Sequence, residues 1–350
     1  MQYTDRMISS KRNNVKTEEH VTPGSLKAWV LAARPKTLSA AAVPVVIAAV
    51  MGIIDMGTEW QYGVIPALMC LAFALVMQVD ANFVNDLFDY RNGGDGEERL
   101  GPLRACAQGW LSDRSMMRGI VLTTAIACLI GLPLVGYGGW QMIIIGVACV
   151  VFCFLYTTFF SRKALGDVLV VLFFGVVPVC TTYYLVTSGA TPAAGDCYPF
   201  AGTRWADIAL TIPSAHIPWH VTGMSIACGL IIDTLLAINN YRDIDNDRRS
   251  NKLTVAVLLG RKRAATFYYW VGIAGACIGI IAACTCSPAN VGILFAALLY
   301  AFVHRKTYQR MKEIAQGRRL NAILGETARN ISIFGCAVAV EWLLYALVTL

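Results

Sequence analysis

Charge is scarce in this sequence: Asp, Glu, Lys and Arg supply 15% of its 350 residues, where soluble domains carry about 25%. A chain with so little polar surface cannot face water on all sides, and its mean hydropathy of +0.57 excludes a disordered one. No polar block is long enough to form a separate soluble domain, and no paired C-x-x-C spacing of a zinc site occurs. Residues 1–25 are polar and lack the roughly 7–15-residue apolar core of a secretory signal, so none is expected there. Low-complexity tracts are missing, as is any aromatic-plus-basic platform for single strands, so no nucleic-acid partner is expected.

What is present is apolar length. A spanning helix needs about 20 mostly apolar residues, and nine stretches qualify: 29–54, 63–88, 116–136, 140–160, 168–188, 219–241, 265–283, 288–303 and 330–350. All are too long for sheet strands. The expectation is an all-α, polytopic membrane protein of nine transmembrane helices, preceded by a polar cytoplasmic segment over residues 1–25. Ser25 is placed to cap the first helix, and Pro35 to bend it near its start. Of the twelve cysteines, Cys70, Cys128, Cys149, Cys153, Cys180, Cys228, Cys277 and Cys336 lie inside apolar runs, where they behave as small hydrophobes. Cys197 with Cys284 or Cys286 is the one pairing that loop positions allow. His216 and His220 flank Pro218 and Trp219 at a helix entrance and read as interfacial anchors rather than a metal pair.

Orientation follows the basic residues. Every Lys and Arg except Arg204 falls in residues 1–36, 91–118, 161–166, 242–263 or 304–329, which alternate along the expected spans. The positive-inside rule then puts the N-terminus in the cytoplasm and, with an odd number of spans, the C-terminus on the opposite side of an inner (plasma) membrane. The net charge of +7 accordingly reads as topology and attraction to anionic lipid. The proline-bearing connection 189–218 reads as a partly ordered cap on the outer side.

The chemistry lies at two helix ends. The second run closes with Asp80, Asn82, Asn85, Asp86, Asp89 and Arg91, then Gly93-Gly94-Asp95. Side chains three or four apart share a helical face, so Asn82, Asn85, Asp86 and Asp89 are expected to line one stripe, with Asp95 folding back toward it. The sixth run closes with Asn239, Asn240, Arg242, Asp243, Asp245 and Asp247. Asn239, Asp243 and Asp247 repeat every four residues and form a second stripe, from which Asp245 points away. Both ends are expected on the cytoplasmic side.

Carboxylates gathered at helix C-termini repel one another and the local dipole, and acids at a membrane edge cost about 2.5–3.5 kcal/mol each on insertion scales. A cation must offset them. Carboxylate and amide oxygens suit Mg²⁺, which binds one or two carboxylates together with substrate phosphates. Two Mg²⁺ ions bridging the stripes through a diphosphate satisfy these demands, with Asn85, Asp86, Asp89, Asp95, Asn239, Asn240, Asp243 and Asp247 as candidate ligands. Arg99, Arg104, Arg242, Arg248 and Lys252 can neutralise the remaining phosphate oxygens, and Asn82 can touch the diphosphate or an acceptor. The plainer reading of the basic residues is topology alone. For Asp80 and Asp233, about two turns deeper, a locally hydrogen-bonded acid is an equally good reading.

At these residues the sequence resembles the UbiA superfamily of intramembrane prenyltransferases. The first motif stands as Asn85-Asp86-x-x-Asp89 with Asp95 trailing, followed by Glu98-Arg99-Leu-Gly101-Pro102-Leu-Arg104. The second stands as Asn239-Asn240-x-Arg242-Asp243-x-Asp245-x-Asp247, then Lys252-Leu-Thr254 and Leu259-Gly260. Gly166-Asp167 lies between them, and Arg34-Pro35-Lys36-Thr37 opens the match, which runs nearly to the last residue. The Gly-Pro-Leu-Arg segment favours the branch that uses 1,4-dihydroxy-2-naphthoate.

The resemblance implies one transmembrane domain over residues 26–350, its helices surrounding a central cavity open to the cytoplasm and to lipid. It also implies transfer of a polyprenyl group from polyprenyl diphosphate to the naphthoate ring, with loss of carbon dioxide and diphosphate to give demethylmenaquinone. Arg104 and Lys252 would then act on the leaving diphosphate. Asp167 would orient or deprotonate the acceptor hydroxyl, against the plainer reading of a helix N-cap. Tyr156 would contact ring or cation, against a packing role, and Arg34 or Lys36 would attract the acceptor carboxylate, against snorkelling. The alternatives are another aromatic acceptor such as 4-hydroxybenzoate, or an ion-coupled transporter, whose acids are expected nearer mid-bilayer.

Overall fold

The computed structural model describes residues 21–92, 100–160, 163–188, 217–286 and 292–349. Asp95, Arg99, Cys197, His216 and the connection 189–216 lie outside them.

Helix α1 (Leu26–Ala33) begins where the Ser25 hydroxyl accepts from the Ala28 amide at 3.2 Å, as the sequence led one to expect. The bend expected at Pro35 is a full break one residue earlier. Arg34 adopts a left-handed conformation at φ 51°, because a residue before proline is driven out of the right-handed helical region. A single turn over Pro35–Thr37 follows, and the chain resumes as α2 (Leu38–Asp55). The break frees backbone oxygens, and Asn82 takes one of them: its amide nitrogen donates to the Ala33 carbonyl at 2.8 Å and to the Thr37 hydroxyl at 3.0 Å.

The remaining helices are α3 (Gln61–Arg91), α4 (Asp113–Gly131), the short α5 (Leu134–Gly138), α6 (Gln141–Thr158), α7 (Gly166–Ser188), α8 (Trp219–Arg249), α9 (Val255–Cys286), α10 (Gly292–Ile314) and α11 (Leu320–Thr349). Eight spans, with α1 and α2 counted together, are long and apolar enough to cross a membrane among the described residues. The remaining expected span, the eighth in order at 288–303, is present as α10, but only its first half is apolar; from His304 onward it carries Arg305, Lys306, Arg310 and Lys312. It packs between α9 and α11.

Helices α3 and α8 are each 31 residues long. At 1.5 Å per residue each extends about 46 Å, well beyond a hydrocarbon core of about 30 Å. Their polar C-terminal turns therefore have room to emerge from the lipid.

Helix α7 contains a wide, π-type turn over Val171–Val176 before its regular part resumes. There it meets α8 almost backbone to backbone. A Cβ on Gly175 would fall 2.5 Å from the Gly229 Cα and 2.5 Å from the Ser225 carbonyl oxygen, so only glycine permits this approach.

The main core joins α2, α7, α8, α9, α10 and α11 through fully buried Ile47, Met51, Val179, Met224, Ile231, Ala283, Tyr300, Phe334 and Trp342. By contrast, α6 exposes Ile143, Ile144, Val147, Val151 and Leu155 along one face, the pattern of a helix that meets lipid. Between α6 and that core, a cavity of about 320 Å³ runs among α2, α3, α6, α7 and α8.

Candidate active site at the ends of two acidic helices

Asn85 of α3 and Asn239 of α8 line the same cavity, one from each acidic helix end. Asp89 follows Asn85 by one turn, and Asp243 and Asp247 follow Asn239 by one and two turns, so each oxygen-rich stripe continues the helix face of an amide that lines the cavity. Arg34, Thr37, Asn82 and Tyr156 line it too.

Each stripe carries its own counter-charge. Arg104 is buried, donates to the Asn85 carbonyl and forms an ion pair with Asp89. The Thr157 hydroxyl donates to the Asn85 side-chain oxygen. On the opposite stripe, Arg242 is 3% exposed and closes a fork on Asp243, with Nε and Nη2 at 2.8 and 2.6 Å from the two carboxylate oxygens. Its remaining nitrogen donates to the Asn321 side-chain oxygen at 2.8 Å, and Asn321 in turn donates to the Leu100 carbonyl at 2.9 Å. Lys252 Nζ stands 3.6 Å from Asp247 Oδ1, and its backbone amide donates to the Asp247 carbonyl. Arg248 is exposed.

Asp86 departs from the expected stripe. It is 1% exposed, and its two carboxylate oxygens accept the backbone amides of Ala105 and Cys106 at 2.9 and 3.0 Å. One residue along a helix is a rotation of about 100°, so Asp86 turns from the cavity toward the segment after Leu100 and holds it. Asn82, expected to meet substrate, is at the cavity wall with its amide nitrogen already committed to the α1 break. Asn240 is buried beside the stripe. Asp245 is exposed and pairs with Arg261 at 2.7 Å, away from Asp243 and Asp247.

The deeper acids divide. Asp80 is completely buried and accepts from the Thr123 and Thr124 hydroxyls, a satisfied structural acid. Asp233 is 2% exposed and has Oδ1 without a hydrogen-bond partner. Asp167 is buried at the first turn of α7, next to Gly166, where an added Cβ would stand 3.5 Å from the Tyr156 hydroxyl. At the opposite end of the bundle, His220 meets the Asp55 carboxylate at 3.6 Å rather than a metal partner, and Cys284 carries a free thiol.

Among the described residues, no three His, Cys, Asp or Glu side chains converge into a closed cage for an ion. Mg²⁺ asks for no such cage, since it keeps waters and takes substrate phosphates as ligands. The residues present fit it: Asn85, Asp89, Asn239, Asp243 and Asp247 are hard oxygen donors, and Asp247 Oδ2 is buried without a hydrogen-bond partner. Arg34, offered by the resemblance for the acceptor carboxylate, is at the cavity wall, whereas Thr157 and Asn321 were not foreseen as parts of this arrangement. Asn321 comes from the start of the last helix, and no local pattern marks it.

Residues 41–324 match the model of the UbiA prenyltransferase family. The chain belongs to that family. Among curated relatives, the 1,4-dihydroxy-2-naphthoate octaprenyltransferase of Escherichia coli is 30% identical over 264 residues, covering 72% of this chain and 74% of the relative. The enzyme of the same name from Haemophilus influenzae is 29% identical over 252 residues, covering 69% and 72%. A solved UbiA homologue from Aeropyrum pernix shares the fold with a TM-score of 0.57 at 14% identity, covering 86% of this chain and 97% of that one. Another, from Archaeoglobus fulgidus and bound to DMAPP and Mg²⁺, gives a TM-score of 0.54 at 14% identity, covering 89% and 99%. The protein is thus an integral membrane prenyltransferase of the UbiA fold, and the transporter reading falls away.

Proposed function

We propose that this UbiA-family protein transfers a polyprenyl group from polyprenyl diphosphate to 1,4-dihydroxy-2-naphthoate, releasing carbon dioxide and diphosphate and giving demethylmenaquinone. The shared cavity mouth lined by Asn85 and Asn239 carries the reading, because it sets two acidic stripes above an apolar chamber suited to a lipid tail. The names of the relatives from Escherichia coli and Haemophilus influenzae support the acceptor.

Asn85, Asp89, Asn239, Asp243 and Asp247 would hold Mg²⁺, with Asn240 beside them and Asp95 joining from outside the described residues. When bound, Mg²⁺ would neutralise the negative charge that grows on diphosphate as the allylic C–O bond ionises. Arg248 and Lys252, at the end of α8, bind phosphate oxygens alongside Arg99. Arg104 and Arg242 keep Asp89 and Asp243 aimed while lending their charge to the leaving group. The ring carbon that bears the carboxylate forms the new C–C bond as the allylic C–O bond breaks, its electron pair leaving with diphosphate. Loss of carbon dioxide returns an electron pair to the ring.

Asp167 orients the acceptor hydroxyl, and Tyr156 faces the ring from α6. The apolar walls below exclude water, which would otherwise capture the allylic cation as an alcohol. The mouth faces the cytoplasm of an inner membrane, with the N-terminus on that side, in keeping with the basic connections.

The test is to supply membranes containing the protein with octaprenyl diphosphate, Mg²⁺ and a panel of acceptors, and to follow lipid product and carbon dioxide together. Dihydroxynaphthoate should yield both. Prenylation of 4-hydroxybenzoate with its carboxylate retained, and no reaction of dihydroxynaphthoate, would overturn the acceptor assignment.

A further inference from the structure

Helix α6 presents two faces. Met142, Ile145, Gly146, Cys149, Phe152 and Tyr156 recur at helical spacing along the cavity wall, while Ile143, Ile144, Val147, Val151 and Leu155 are exposed on the other side. Gly146 therefore belongs to the inward stripe. A glycine inside a membrane helix ordinarily marks close approach of a second helix. Here none approaches: a Cβ built on Gly146 would find no atom within 4 Å. The other small positions near the cavity floor behave differently. A Cβ on Gly131 would meet the Phe73 ring at 3.3 Å, and one on Gly138 would strike Leu185 and Met142 at 2.7 Å each.

Glycine in a helix interior costs about 0.5–1 kcal/mol relative to alanine, and packing recovers none of that cost at Gly146. The space it leaves belongs to the cavity. Counting along α6, Gly146 lies about 15 Å beyond Tyr156, and Met142, at the floor, about 21 Å beyond it. A tail that starts at the acidic mouth passes Tyr156 first, then Gly146, before it reaches the floor formed by Leu134, Met142 and Leu185.

We propose that Gly146 is a specificity-determining residue: the gap at its missing side chain lets the tail of a long donor pass into the lower cavity, so this position sets the preference for long over short polyprenyl diphosphates. The inference rests on the prenyl-transfer reading above. A side chain at this level narrows the passage without displacing any protein atom, so donors that end above it are spared relative to those that continue below.

The experiment uses the full-length protein in membranes with dihydroxynaphthoate as acceptor, comparing Gly146→Ala, Gly146→Leu and Gly146→Phe with the unmodified chain. Rates are measured with geranyl diphosphate, which has two isoprene units, and with octaprenyl diphosphate. The octaprenyl-to-geranyl rate ratio should fall stepwise with side-chain size, by at least about tenfold for Gly146→Phe. A ratio that stays constant across the series overturns the proposal, whether both rates are retained or both fall together. Should the unmodified protein transfer neither group, the prenyl-transfer reading itself fails, and that outcome is distinct from a constant ratio.

Discussion

Arg242 closes its guanidinium on the neighbouring residue in sequence, Asp243, through two bonds of 2.8 and 2.6 Å, and is itself held by Asn321 from the last helix. Adjacent residues on a helix seldom face each other. The fork places a buried positive charge within an acidic stripe and ties the end of α8 to α11 and, through the Leu100 carbonyl, to the segment after α3. Lysine supplies charge but not the planar fork. Arg242→Lys should therefore lower kcat/KM for prenyl transfer by about tenfold or more, and Asn321→Ala by a smaller factor in the same direction, both read from initial rates at saturating Mg²⁺.

Asp89→Asn and Asp243→Asn remove a formal charge from each stripe while preserving shape. Each should reduce turnover by about 100-fold or more while leaving the protein inserted. Added chelator should reproduce the loss in the unmodified protein, and excess Mg²⁺ should reverse it.

Asp86 makes a different prediction, since both its oxygens accept buried amides at Ala105 and Cys106. Asp86→Ala leaves those donors unpaired, at about 1–3 kcal/mol each. Thermal unfolding in detergent should show a lowered midpoint, and limited proteolysis should open the chain near residues 100–112. Asp89→Asn, which keeps an oxygen facing Arg104, should show the smaller change in both.

Asp245→Asn should be mild. Asp245 itself is 63% exposed, and exposed ion pairs contribute about 0–1 kcal/mol. Activity within about twofold of the unmodified protein is the expected result, against near-complete loss for Asp243→Asn two residues earlier.

Gly175→Ala tests the α7–α8 crossing. The added methyl meets backbone atoms at 2.5 Å, which cannot yield as a side chain would. A loss of about 1–3 kcal/mol is expected, read as a lowered unfolding midpoint, and Gly229→Ala should behave alike.

Much of this architecture is local in origin and therefore legible in the sequence. Apolar length located the spans, and the i, i+4 spacing of Asn85 with Asp89, and of Asn239 with Asp243 and Asp247, placed two oxygen-rich stripes on their helices. What the spacing could not separate was Asp86 from Asn85, because the partner that draws Asp86 aside is a pair of amides in a loop some twenty residues on. The break at Arg34 was half visible: proline signals a disturbance, but its extent depends on Asn82 being near enough to accept the new geometry. The wide turn in α7, and the contacts of Thr157 and Asn321, have no local signature at all, since each exists only once distant helices are packed. The count of nine spans was blurred for a related reason: α10 is helical beyond its apolar half, and of its polar half only His304, Thr307 and Met311 are buried in the bundle.

The most direct measurement is of the cation itself, independent of turnover. Mn²⁺ substituted for Mg²⁺ can be titrated into the membrane-embedded protein by electron paramagnetic resonance, with inorganic diphosphate present. If the ends of α3 and α8 hold divalent cations in one shared site, Asp89→Asn and Asp243→Asn should each weaken Mn²⁺ binding by about tenfold or more. Unchanged affinity in both variants would contradict a site built between the two helices.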